Sequence, residues 1–351
     1  MLRIVPGLLL SLALTAQSQR VSDAEVMKIY RSALLIDTHN DVTSRTVTGF
    51  DIGNRAQDGH TDLPRLRAGG VGAVFFAVFV AGSYERDSRS ANRALEMIDT
   101  VRRDIAGRYP ADFVLAFSAD DIEIAHRTGK IAALMGLEGG HAIEDSLRLL
   151  RDFYALGVRY MTLTHNNSNG WADSSRDVAR HNGLSEFGRQ VIREMNRLGM
   201  MVDVSHVSDK TFWDAIETSR APVFASHSSC RALANVPRNM TDEMIRAVAK
   251  KGGVVQINFS CSFLSPTPEK ASIDDVVAHI EHVVEVAGVD HVGIGSDFDG
   301  VRCTPKGLKD VSEFPNLTRA LLEKGYKAAD IRKIYGGNLL RVMRAVEKAK
   351  S

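Results

Sequence analysis

The stretch from Ala33 to Val42 reads A-L-L-I-D-T-H-N-D-V, an apolar run that turns polar after four residues. Four apolar residues are too few for a helix, so the pattern predicts a short buried strand running into a ligand-bearing loop. In extended chain, residues i and i+2 face the same side, which lets the His39 imidazole and the Asp41 carboxylate converge on one point. A nitrogen and an anionic oxygen meeting in this way can hold a metal ion. A lone H-x-D is equally at home in an ordinary polar loop, so the motif gains meaning only through recurrence. The same arrangement, an apolar run ending in an acid or a histidine, returns at Glu138, His165, His206, His227 and Asp297.

Imidazole and carboxylate donors without a thiolate suit zinc, manganese, iron or cobalt in a catalytic site. Five protein ligands exceed the three usual for one catalytic zinc, so the set predicts two Zn2+ per chain, about 3.5–4 Å apart and bridged by a carboxylate. Glu138 is the expected bridge, because its two oxygens can serve different ions. His39 and Asp41 would hold one ion and His206 and His227 the other. A water shared by two cations loses a proton near neutral pH, and the resulting hydroxide can attack an amide carbonyl.

Such a cluster needs a scaffold that delivers distant segments to one place. Apolar runs of strand length begin near residues 33, 71, 131, 158, 200, 221, 253 and 291, with helical spacing between most of them. Helices are expected at 22–31, 90–105, 146–156, 184–198, 210–218, 241–250, 272–286, 311–324 and 328–348, several closed by a glycine. Eight alternating β/α units predict a (β/α)8 TIM barrel, whose strands all exit on the face where active sites sit. His39 and Asp41 leave the first strand, Glu138 the third, His165 the fourth, His206 the fifth, His227 the sixth and Asp297 the eighth. The open alternative, a doubly wound sheet, lacks the G-x-G-x-x-G expected after its first strand. His60, His126, His141, His181, His279, His282 and His291 fall outside this phase of the repeat.

Length and composition fit one such barrel. The chain has 351 residues, 44% hydrophobic and 25% charged, with 44 Lys plus Arg against 43 Asp plus Glu. That balance gives no field to attract nucleic acid or an anionic membrane. Arg3 followed by the apolar run Ile4 to Ala16, with small residues at Ala16 and Ser18, predicts a signal peptide over 1–18 and a catalytic barrel over 19–351. The run is too short to span a bilayer, so an exported protein, periplasmic or secreted and without a stable membrane span, is expected. Cys230, Cys261 and Cys303 have no C-x-x-C spacing. Export permits a Cys230–Cys261 bridge, although buried free thiols are the default expectation.

Taken together, I-D-T-H-N-D, G-L-E-G-G-H, M-T-L-T-H-N, D-V-S-H-V-S, F-A-S-H-S-S, P-R-N-M and G-I-G-S-D-F-D-G resemble the membrane or renal dipeptidases, binuclear zinc peptidases with amidohydrolase-like barrels. The motifs run in one order over residues 36 to 300. The resemblance implies that His39, Asp41, Glu138, His206 and His227 bind zinc, that His165 and Arg238 bind substrate, and that Asp297 is the catalytic carboxylate. His165 would then stabilise the oxyanion, and Asp297 would carry a proton from the attacking water to the leaving amine. The Arg238 fork would clamp a terminal carboxylate, restricting the enzyme to a small dipeptide substrate. The family also implies tolerance of a D-residue at the carboxyl-terminal position. The chain looks more like the bacterial branch, since it shows neither the mammalian lipid-anchor signal nor a cysteine pattern securing a disulfide-linked dimer; a homodimer is left open.

Two other readings stay open at this level. Deaminases and phosphotriesterases of similar architecture open with H-x-H and many use a carboxylated lysine, whereas here the motif is H-x-D and the nearby Lys130 precedes its strand. A barrel keeping a metal without catalysis is the other.

Overall fold

Each of the eight apolar runs of strand length named above forms a strand. The computed structural model describes residues 21–350, so the expected signal peptide lies outside the described residues. The strands are β1 (Ile36–Asn40), β2 (Ala73–Phe79), β3 (Phe113–Leu115), β4 (Ile131–Glu138), β5 (Val158–Thr162), β6 (Met201–Asp203), β7 (Val223–Ser228), β8 (Val254–Ile257) and β9 (Val292–Ile294). All are parallel, in the order β1-β2-β4-β5-β6-β7-β8-β9. The ring closes where Asn40 pairs with Phe298, helped by hydrogen bonds from Asp297 N to His39 O and from Asp41 N to Phe298 O. A (β/α)8 barrel results, as expected.

One strand was not anticipated. Short β3 pairs with Ile131 to Ala133 at the start of β4, and from Met135 onward β4 pairs with β5 instead. Three residues, of which only Phe113 is fully buried, leave too weak an apolar signal to stand out.

Alternation along the strands separates two layers of core. On β4, Ala132 and Leu134 join Phe75, Tyr160, Met201, Phe224 and Val254 inside the barrel, while Ala133, Met135 and Leu137 pack under the helices. Truncating a filled position such as Leu134 to alanine would cost about 2–5 kcal/mol. Gly136 and Glu138 continue the inner row, so the packed floor gives way to polar groups only at the strand ends.

Helix boundaries follow the local chemistry. Side chains of Ser146, Ser185, Ser208, Thr241 and Ser272 accept backbone N–H bonds at the starts of the helices that follow them, satisfying donors no carbonyl can reach. Gly157 and Gly199 end two of those helices with φ of 115° and 80°, values that disfavour a side chain. The expected helices at 90–105 and 328–348 form as well, but 100–107 and 333–337 adopt wider π turns.

The cysteine expectation needs correction. Cys261 is bonded to Cys303, 42 residues away with Cα atoms 5.6 Å apart, while Cys230 is a buried free thiol. Cys261 and Cys303 lie on loops leaving the adjacent strands β8 and β9. Their proximity is a product of the closed sheet, which linear spacing could not reveal. Among the described residues no helix is long and apolar enough to cross a membrane.

Candidate metal centre

Segments far apart in sequence bring their donors to the rim of the barrel. His39, inside β1, sets its Nε2 3.2 Å from Asp41 Oδ2 and 3.4 Å from Glu138 Oε2. The i, i+2 convergence read from the sequence is therefore present. Glu138, the last residue of β4, turns its other oxygen, Oε1, to His206 Nε2 at 3.1 Å and His227 Nε2 at 3.4 Å. Those two nitrogens are 3.0 Å apart, and the His39 and His227 rings stack at 3.7 Å. One carboxylate thus faces two groups of donors, one with each oxygen.

Asp297 and His165 complete the rim. Asp297 follows β9, belongs to the group formed with His39 and Asp41, and accepts a 2.8 Å hydrogen bond from Asn258 Nδ2. His165, after β5, lies with its ring 4.6 Å from that of His206 and groups with Glu138 and His206. His206 and Asp297 both have positive φ, 68° and 62°, a conformation costing about 1–3 kcal/mol and found where surrounding structure imposes it. Across from them, a Cβ added to Gly300 would lie 2.3 Å from Asp297 Oδ1 and 2.4 Å from Asp41 Oδ2. Only a bare backbone fits there.

The electrostatics follow from burial and from the neighbours. Burial opposes the Glu138 charge, but His39, His206 and His227 outweigh it and hold the carboxylate well below its usual range. Burial, reinforced by Arg238, keeps His206 and His227 well below the ordinary histidine value and so neutral, the form in which imidazole ligates. Asp297 is pushed up to about 8, by burial first and by Asp41 next. His39 Nε2 is buried without a hydrogen-bond partner between two carboxylates, a position that calls for positive charge. This donor set fits a divalent cation bound through imidazole and carboxylate.

A cleft of ≈ 570 Å³ opens above the cluster. Asp41, Glu138, His165, His206 and Asp297 line it, with Phe79 and Asn166 on one side. Ser260 to Phe263 and Gly300 to Cys303 form another wall, which carries the Cys261–Cys303 bridge. His39 and His227 lie beneath, fully buried. Arg238 is buried behind Phe263, whose ring centre is 5.6 Å from the guanidinium. Its Nη2 donates to His227 O at 2.7 Å, and its Nε and Nη1 have no protein partner. Lys130, the candidate for a carboxylated-lysine bridge, donates instead to Pro110 O at the opening of β4, the end remote from Glu138.

Four supporting residues escaped sequence reasoning. Tyr160, Ser226, Asp203 and Asn166 contact the outer nitrogens of the clustered histidines, directly or through one another. Asp203 and Ser226 stand within the D-V-S-H and F-A-S-H motifs, a signal that was present but unread. Tyr160 carries none, since an aromatic on a strand ordinarily means core.

Comparison with known proteins agrees with this geometry. Residues 23–351 match the model of the membrane dipeptidase family, peptidase family M19. An uncharacterized dipeptidase of Schizosaccharomyces pombe is 42% identical over 335 residues, covering 89% of this chain and 81% of that protein. The probable dipeptidase PvdM of Pseudomonas aeruginosa superposes with a TM-score of 0.86 at 26% identity, covering 93% of this chain and 98% of its own. A Rhodobacter sphaeroides metallopeptidase, solved with a phosphinate mimic of the dipeptide L-Ala-D-Ala, gives 0.81 at 28% identity over 90% and 99%. With its barrel, its imidazole and carboxylate cluster and these relatives, the chain belongs to the membrane dipeptidase family, M19, and is a metallopeptidase-family hydrolase acting on dipeptides.

Proposed function

We propose that the protein is an exported, binuclear zinc dipeptidase that accepts a D-residue at the carboxyl-terminal position of its substrate. The observation that carries the binuclear reading is the split of the Glu138 carboxylate, Oε2 towards His39 and Oε1 towards His206 and His227. His39 and Asp41 would hold one ion and His206 and His227 the other, with one Glu138 oxygen turned to each pair. A divalent cation held there would supply an activated water and an electrophile for the scissile carbonyl.

The remaining steps belong to side chains. Asp297, whose ionised form a neighbouring cation would favour, takes the proton from the attacking water and returns it to the departing amine, oriented by Asn258. His165, on the cleft wall beside Phe79, donates to the oxyanion as negative charge develops on the former carbonyl oxygen. Arg238 attracts the terminal carboxylate through Nε and Nη1, the two nitrogens that no protein acceptor uses. A longer peptide has no carboxylate at that distance, which limits the substrate to two residues. The L-Ala-D-Ala mimic bound by the Rhodobacter sphaeroides relative supports tolerance of a D-residue.

Export is supported by the Cys261–Cys303 bridge, since disulfides persist in oxidising compartments. The test of the whole reading is metal analysis combined with hydrolysis of paired L,L- and L,D-dipeptides. Two zinc ions per chain and turnover of both series are expected. A single ion at full activity would remove the binuclear reading, and inert L,D-substrates would remove the D-tolerance.

A further inference from the structure

Each of the three clustered histidines shows Nε2 to the carboxylates and Nδ1 to a second layer of groups. Counting protons in that layer fixes which nitrogen is protonated. Tyr160 Oη lies 2.8 Å from His39 Nδ1 and 3.0 Å from the backbone oxygen of Thr38. A carbonyl oxygen can only accept, so both contacts are satisfied when the single phenolic proton goes to Thr38 and His39 donates from Nδ1. Ser226 Oγ lies 2.7 Å from His227 Nδ1 and 2.6 Å from Asp203 Oδ2. Asp203 also accepts from Ser226 N, Ser205 N and Thr162 Oγ1, at 2.8, 3.0 and 2.5 Å. Four donors on one carboxylate mean that it accepts throughout, so the hydroxyl proton of Ser226 points to Asp203 and His227 again donates from Nδ1. His206 Nδ1 faces the side-chain oxygen of Asn166 at 3.2 Å, another acceptor.

This layer opposes a competing pull. The carboxylates suited to a cation would also draw a ring proton onto Nε2, where it would block ligation. His39 Nε2 faces Asp41 and Glu138, while His206 Nε2 and His227 Nε2 face Glu138 and each other. Acceptors behind each ring are what tips the proton to the far nitrogen. Room for one of them is built into the barrel wall: a Cβ on Gly136 would lie 1.9 Å from Tyr160 Cζ. Only glycine at that inner position of β4 lets the phenol reach His39.

We propose that Tyr160, the Ser226–Asp203 pair and Asn166 are positioning residues that hold a ring proton on Nδ1 of His39, His227 and His206, so that Nε2 is the nitrogen each ring presents to a divalent cation. The proposal rests on the metal-site reading above. It concerns how readily the chain captures the ion, and none of these residues needs to touch substrate.

The experiment compares the full-length chain with Tyr160→Phe, Ser226→Ala and Ser226→Thr. Zn2+ affinity is measured by competition with a chromophoric chelator, and the histidine tautomers of the metal-free chain by 15N NMR. Tyr160→Phe keeps the ring packed between Phe75 and Phe224 and removes only the acceptor. It should weaken Zn2+ binding about 10–100-fold. Ser226→Ala should weaken binding similarly and move the His227 proton to Nε2, while Ser226→Thr, which restores a hydroxyl, should recover both. Unchanged affinity in Tyr160→Phe and Ser226→Ala with the proton still on Nδ1 would overturn the proposal. Failure of the wild-type chain to take up Zn2+ would instead sink the metal-site reading. The metal-free spectra still decide the positioning in that case, and an unprotonated Nδ1 on wild-type His227 would refute it.

Discussion

Cys261 and Cys303 are bonded across one wall of the cleft, tying the loop after β8 to the loop after β9. The bridge closes a loop of 42 residues, so replacing both cysteines by alanine should lower unfolding stability by roughly 2–4 kcal/mol. Both loops line the cleft, so KM should rise while metal content holds. Chemical denaturation of the double variant beside its zinc analysis checks this, and unaltered KM would show that the wall is fixed by other contacts.

Glu138 offers the sharpest substitution in the centre. Glu138→Gln keeps the volume but replaces one anionic oxygen with an amide, which cannot ligate on that side. Loss of at least one ion per chain and a fall in kcat of more than about a hundredfold are expected, since even outer-layer changes cost 10–100-fold. Full retention of two ions would show that Glu138 is not the bridge.

Asp297→Asn should separate chemistry from metal capture. An amide cannot shuttle a proton, and general acid–base catalysis contributes about 10²–10⁴-fold. A loss of kcat of that size with metal content intact is predicted. Were zinc lost in proportion to activity, Asp297 would be a ligand, as its grouping with His39 and Asp41 equally allows.

Arg238→Ala tests the carboxylate clamp. Charge-assisted hydrogen bonds contribute about 1.5–3 kcal/mol, so KM for dipeptides should rise roughly ten- to hundredfold. Dipeptide amides, which lack the carboxylate, should be hardly affected. Equal losses on acids and amides would mean that Arg238 acts only through its bond to His227 O.

Strand order, helix caps and the seven clustered donors could be read from the chain because each leaves a periodic or local mark. Glu138 ends an eight-residue buried run, and Ser146 precedes its helix by one position. What escaped depends on the closing of the sheet. Cys303 meets Cys261 because β8 and β9 are neighbours, and Tyr160 reaches His39 because Gly136 leaves space between them. Arg238 was carried by resemblance alone, and nothing in its sequence surroundings announced a buried guanidinium.

The last prediction concerns pH and a residue away from the centre. His279 is buried with Nδ1 accepting from Cys230 N and Nε2 bonded to Leu264 O, each at 3.0 Å. It therefore braces the loops after β7 and β8 only while neutral, and burial pushes it down to about 4. The unfolded chain, with an ordinary histidine value near 6.5, takes up the proton first as pH falls. Stability from this group is thus complete above about 6.5, drains away between 6.5 and about 4, and levels off below. A shift of that size corresponds to roughly 3 kcal/mol. His279→Gln retains an acceptor and a donor but cannot titrate. Urea unfolding of wild type and variant across pH 4 to 7 should show their stability difference shrinking or reversing as the medium is acidified, by up to that amount. A difference independent of pH would mean that His279 accommodates its second proton inside the fold.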